Sequence, residues 1–166
     1  YNFFCNNNEF CNSKIEVVFT QFINLKSNVS LPYRIDVRPG KTALFVLKPD
    51  NLNSSSSFQY SYTYIKGCIN PKINPDFSYL LPVGNGKQTE AFELNYLRIN
   101  PKDPEPKDWY AVGLKMNFGD TVYAARRGIV SEIKNNAKLE RSGYTYSSDD
   151  NFIEIFHDDC SFGKYQ

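Results

Sequence analysis

The chain has 166 residues and a formal net charge of +1, from 19 basic and 18 acidic side chains. This near-balance argues against nucleic acid or an anionic membrane as a partner, and no apolar run reaches the length of a membrane span, so no transmembrane segment is expected. The length fits one large domain or two small ones, each able to bury a core, and 12 Tyr and 13 Phe against one Met, without long leucine- or alanine-rich amphipathic runs, predict an all-β protein with many loops.

Residues 1–98 read as a run of strands. Lys14 to Leu25 alternates, with Ile15, Val17 and Phe19 on one face. Tyr33 to Val37 and Thr42 to Lys48 are short apolar runs, separated by the turn sequence Arg38-Pro39-Gly40-Lys41. Pro49-Asp50-Asn51 and the four serines from Ser54 form a polar loop. The cleanest strand comes next: Phe58, Tyr60, Tyr62 and Tyr64 alternate with Gln59, Ser61 and Thr63, which puts the four rings on one side of a sheet. Such a face is expected in a core or between sheets, with a glycan platform as the alternative. Phe77 to Val83 reads as an extended segment leading into the turn Gly84-Asn85-Gly86, and Thr89 to Leu94 as a short strand. Strands at this spacing suggest an N-terminal β-sandwich-like domain over 1–98.

Residues 99–109 break the pattern. Pro101, Pro104 and Pro106 cannot continue a sheet and read as a stiff connector; a long loop within one domain is the alternative. Beyond it, Thr121 to Ala125 and Gly128 to Lys134 read as two strands with a corner at Arg126-Arg127-Gly128. Asn135 to Asp150 is polar and reads as a long loop. Asn151 to His157 is a strand, Asp158-Asp159-Cys160 a turn, and Ser161 to Gln166 the start of a returning strand.

The cysteines are Cys5, Cys11, Cys68 and Cys160. An even number suits disulfides in an oxidising compartment, with buried free thiols as the alternative, and four cysteines allow three connectivities. No CxxC spacing occurs, and His157 is the single histidine, expected at the exposed end of its strand; a zinc site of the Cys/His kind is not expected. Tyr1 is not an initiator Met, so the chain is expected to be processed or trimmed, and a removed export signal is one route.

Gly119, Val122-Tyr123-Ala124-Ala125, Gly128 and Val130 fit the spacing of the pattern Ala-Leu-Asp-Phe-x-x-Pro-x-Gly-Thr-x-Val-Tyr-Ala-Ala-x-x-Gly-x-Val. Asn151-Phe152-Ile153-Glu154-Ile155-Phe156-His157-Asp158-Asp159 fits a second pattern, Asn-x-Ile-x-Ile-x-His-x-Asp-Gly, and Tyr165-Gln166 fits the beginning of Tyr-x-His-Leu. In these segments residues 110–166 resemble the lysostaphin-type, LytM-like zinc metallopeptidases, which cut peptide cross-links in peptidoglycan. Through Asn6-Asn7-Asn8-Glu9-Phe10-Cys11 and Leu81-Pro82 the first hundred residues resemble the β domain that precedes the peptidase domain in some exported members. The resemblance implies a partial LytM-like peptidase β domain over 110–166.

It also implies a zinc-binding His followed by an Asp. The Asp position is Gly113. The His is expected between Lys102 and Trp109, with Pro106 and Trp109 at the two common spacings, and no histidine stands there. The other family ligands lie in Tyr-x-His-Leu and His-x-His, neither of which is completed within these residues. Zinc catalysis needs about three protein ligands and a water. The expectation is therefore a non-enzyme, with no catalytic, metal-binding or cofactor-binding residue. It is a pseudopeptidase exported to the periplasm or cell surface, binding peptidoglycan or an envelope protein complex as scaffold or assembly subunit. The alternative is an N-terminal fragment of a zinc-dependent peptidoglycan endopeptidase whose remaining ligands lie downstream. In an assembly subunit, an unfinished sheet edge would be completed by a strand from a partner.

The other candidate groups read as structural. Asp149-Asp150 and Asp158-Asp159 are expected in solvated turns rather than as calcium ligands or an acid–base pair. Arg126-Arg127 is expected to be a charged corner rather than an anion site.

Overall fold

The computed structural model describes residues 1–93, 111–137 and 150–166. Every regular element in them is a strand, so the chain is all-β as its composition predicts. No helix among these residues is long and apolar enough to cross a membrane. The connector 99–109 lies outside them, as does most of the loop predicted after Asn135.

Six strands build the N-terminal part: β1 (Asn2–Asn7), β2 (Ser13–Ile23), β3 (Leu25–Ser27), β4 (Tyr33–Val37), β5 (Gly40–Pro49) and β6 (Ser57–Lys66). They form two three-stranded antiparallel sheets, ordered β1-β5-β3 and β4-β2-β6. Alternation decides which side chains meet between them. Ile15 and Val17 of β2, Val37 of β4, Leu25 of β3, and Phe45 and Leu47 of β5 form one buried cluster. Burying each such side chain stabilises the fold by about 1.5–3 kcal/mol. The chain passes from one sheet to the other at Asn24, whose φ of +51° is left-handed. Its side chain makes that corner tolerable: Nδ2 donates to the carbonyls of Asn51 and Ser54, both at 2.8 Å, and Oδ1 accepts from the Asn51 N–H at 2.8 Å.

The remaining strands are β7 (Ala91–Glu93), β8 (Val112–Leu114), β9 (Ile129–Lys134), β10 (Phe152–Phe156) and β11 (Phe162–Tyr165). β7 pairs with β8, and β9-β10-β11 is an antiparallel sheet. Thr121 to Ala125 and Phe77 to Val83 are not ladder strands. They meet through two backbone bonds, Leu80 N–H to Ala125 O at 2.9 Å and Tyr123 N–H to Pro82 O at 3.0 Å. The prolines and glycines flanking the Leu80–Pro82 contact keep it from growing into a ladder.

Three links join the end of β6 to the β9-β10-β11 sheet. A disulfide closes Cys68 on Cys160, 92 residues apart. Lys66 pairs with Glu132 and, at 3.4 Å, with Glu154. Burial alone would lower the Lys66 ammonium, but the two carboxylates outweigh it and hold its pKa above the ordinary lysine value. Phe162 packs against Gly67, where a Cβ would sit 3.5 Å from its ring.

Candidate functional site

Two places bear on chemistry: the β7–β8 pair with the neighbouring Arg126-Arg127-Gly128 corner, and the open side of the two N-terminal sheets. In the β7–β8 pair, Gly113 sits on β8 directly opposite Phe92 of β7. The Phe92 ring occupies the space a side chain at 113 would need, so any Cβ there would collide with ring carbons. A large ring covering a cross-strand glycine is a known way to seal an otherwise thin pair. The consequence is chemical as well as steric. Position 113 has no donor atom and no room for one, so the residues present do not fit a zinc ion at that place. The upstream positions Pro106 and Trp109 lie outside the described residues, and neither side chain is a zinc ligand. Among the described residues no three His, Cys, Asp or Glu side chains converge as a metal site.

The other pattern positions also serve packing. Gly128 is required because a Cβ would strike the Phe156 carbonyl and the Ile155 side chain, so β10 can approach closely. Gly119 has a φ of +87°, which glycine adopts without strain. The Ala125 N–H donates to the Tyr165 hydroxyl at 2.7 Å.

Arg126 and Asp159 depart from expectation, whereas Asp158 is solvent-exposed in its turn as expected; Asp149 lies outside the described residues. Arg126 is not a solvated corner: its side chain is 7% exposed, bonded to Asp159 at 2.7 Å and Asp158 at 2.6 Å. Its guanidinium carbon stands 4.0 Å above the Phe77 ring, a cation–π contact. The Asp159 side chain is largely covered, and its Oδ1 accepts from both the N–H and the hydroxyl of Ser161. Burial would raise the Asp159 carboxyl. The bonds from Ser161 and Arg126 outweigh that and hold it well below the ordinary carboxylate range. Arg126 is correspondingly pushed above the ordinary arginine value, chiefly by its bond to Asp159.

His157 is also buried, 1% exposed, rather than at an exposed strand end. Its Nδ1 lies 3.0 Å from the Arg127 carbonyl, its ring meets Tyr79 edge-on, and Nε2 is buried without a partner. Two glycines make room for the ring, since a Cβ at Gly128 or Gly163 would lie 3.0 Å from one of its nitrogens. These side chains knit Phe77–Tyr79 to the β10–β11 turn. The ion pairs of the buried Arg126 with Asp159 and the exposed Asp158, together with the disulfide, make this turn a structural clasp.

The second place is a cleft of about 380 Å³ between β1 and β6. Both are edge strands in their sheets. In the β2–β6 register Ile15, Val17 and Phe19 stand opposite Tyr64, Tyr62 and Tyr60, so the tyrosines share the inner, core-directed face. The four rings do occupy one face, as period two predicts. Yet Tyr60, Tyr62 and Tyr64 are 48%, 62% and 60% exposed, and a closed core is not what they form. The opposing wall explains this. Phe3 of β1 covers Phe58 and Tyr60, with centroids 5.7 and 5.3 Å apart. Further along β1 the inward residues shrink to Cys5 and Asn7, which leaves Tyr62 and Tyr64 uncovered. Ser13 Oγ is buried at this end without a hydrogen-bond partner.

Of the cysteines, Cys68 and Cys160 form the disulfide, while Cys5 and Cys11 are free thiols whose pKa burial pushes up. Their thiols are therefore poor nucleophiles. Sequence reading missed β1 altogether, because Asn2-Phe3-Phe4-Cys5-Asn6-Asn7 shows no polar–apolar alternation. It also missed the pairing of Phe92 with Gly113, which spans the proline-rich break. Comparison with protein-family models, curated proteins and solved structures finds no match to this chain.

Proposed function

We propose that this chain is a non-catalytic binding module of the cell envelope: a degenerate LytM-like pseudopeptidase that holds peptidoglycan or an envelope protein without cutting it. The observation that carries the reading is the Phe92 ring over Gly113. Where the resemblance calls for a metal-binding carboxylate, there is a glycine capped by a phenyl ring. The Cys68–Cys160 disulfide supports an oxidising compartment and hence export. Arg126, Asp158, Asp159 and His157 support the same reading, since their polar atoms serve the β10–β11 turn.

Sedimentation with purified peptidoglycan tests it. The chain is expected either to pellet with the wall or to co-purify with an envelope protein, and to release no soluble cross-link fragments. Release of such fragments in a zinc-dependent manner would overturn the reading.

A further inference from the structure

We infer that the β1–β6 cleft is a docking groove for an extended polypeptide segment, which adds as a strand to the free edge of β1 and lays alternate aliphatic side chains on Tyr60, Tyr62 and Tyr64. The inference rests on reading the chain as a binding module and names the chemistry of its partner.

Three observations converge on this occupant. The tyrosines lie on the core-directed face of their sheet, yet the sheet opposite ends at β1, whose Phe3 meets Tyr60 and leaves Tyr62 and Tyr64 open. Among the described residues, β1 pairs only with β5, so the strand that lines the cleft has an edge without a strand partner. Such an edge is a template for strand addition. The rings recur every second residue, roughly 6.6 Å apart, which is the repeat of same-face side chains on an added strand. The backbone edge and the ring ladder thus offer main-chain pairing and side-chain seats at one period.

Charge narrows the occupant further. Among the described residues that line the cleft, Glu9 at the Asn7 end is the single carboxylate and none is basic. The matching segment is uncharged along its length and carries a lysine or arginine at the end that reaches Glu9. At that end the buried Ser13 hydroxyl has no hydrogen-bond partner among the described residues. A segment of about six residues spans β1, roughly 20 Å.

The probe is a library of octapeptides with threonine at alternate positions, alanine, valine, leucine or isoleucine between them, and one terminal lysine. Bound peptides are read by affinity capture and mass spectrometry, and β1 by amide hydrogen exchange. Saturable binding with new protection of the β1 amides is expected. Tyr62→Ser with Tyr64→Ser should weaken it about tenfold or more, and Cys5→Phe, which fills the cleft from the other wall, should do the same. The same library N-methylated at every residue, which removes the donors of either strand direction, should not bind. Should the tyrosine variant unfold, the Cys5→Phe and N-methyl arms decide alone. Absence of capture, equal capture by the variants, capture of soluble glycan strands in place of peptide, or self-association abolished by Tyr62→Ser would each overturn the inference. A failure here leaves the non-catalytic reading intact if the wall or a partner protein is still held; zinc-dependent cleavage would remove that reading while leaving the groove unaffected.

Discussion

Gly113 shows how one residue separates two chemistries. A carboxylate there would have to displace the Phe92 ring from its seat on the β7–β8 pair. Overpacking of this kind costs about 1–3 kcal/mol. Gly113→Asp is therefore predicted to lower the urea midpoint and to bring no zinc with it; Gly113→Asp with Phe92→Ala relieves the clash and should recover most of the loss. Equal stability of Gly113→Asp and the parent chain would contradict this packing. Asp159 carries a second prediction. Its folded pKa is depressed, so its contribution to stability is complete above its unfolded value, about pH 4, and is lost as pH falls through the folded one. Asp159→Asn removes that contribution at all pH values. A plot of unfolding free energy against pH should accordingly be shallower for the variant below about pH 4; parallel curves would show that Asp159 is not held by Arg126 and Ser161 in solution.

At the scale of elements, alternation was legible and partnership was not. β4 matches its apolar run residue for residue, and β2, β5 and β6 lie within a few residues of theirs, because period two marks a face whatever covers it. The same signal placed Tyr60, Tyr62 and Tyr64 together and suggested a core. Whether a second sheet reaches over them depends on where β1 ends and how small Cys5 and Asn7 are, which a single strand's pattern does not encode. The ion pairs of Arg126 were hidden for a similar reason: charged residues in a Gly-containing corner read as solvated until Phe77 and the β10–β11 turn are seen around them. The unequal cover predicts unequal sensitivity. Leu47→Ala, in the closed core, should cost about 2–5 kcal/mol. Tyr62→Ser, on the open ladder, should stay within about 0.5 kcal/mol, as exposed positions do. Chemical denaturation of both variants checks this; a large loss for Tyr62→Ser would mean that the ladder is already covered.

For the whole molecule, the Cys68–Cys160 link decides how tightly the C-terminal sheet is bound to the rest. It closes a loop of 92 residues, for which the chain-entropy account gives a stabilisation of about 4–5 kcal/mol, with about 2–4 kcal/mol typical of disulfides in practice. Cys68→Ser with Cys160→Ser should show that loss in denaturant, while reductant should destabilise the parent chain alone. The sheets themselves remain, since Lys66 with Glu132 and Glu154 still joins them. The central claim is that this architecture holds a ligand without zinc chemistry. It is tested most directly by metal analysis of the chain purified with excess zinc, alongside an assay for cleavage of peptidoglycan cross-links. The prediction is sub-stoichiometric zinc and uncut peptidoglycan; one tightly held zinc per chain with cross-link cleavage would contradict it.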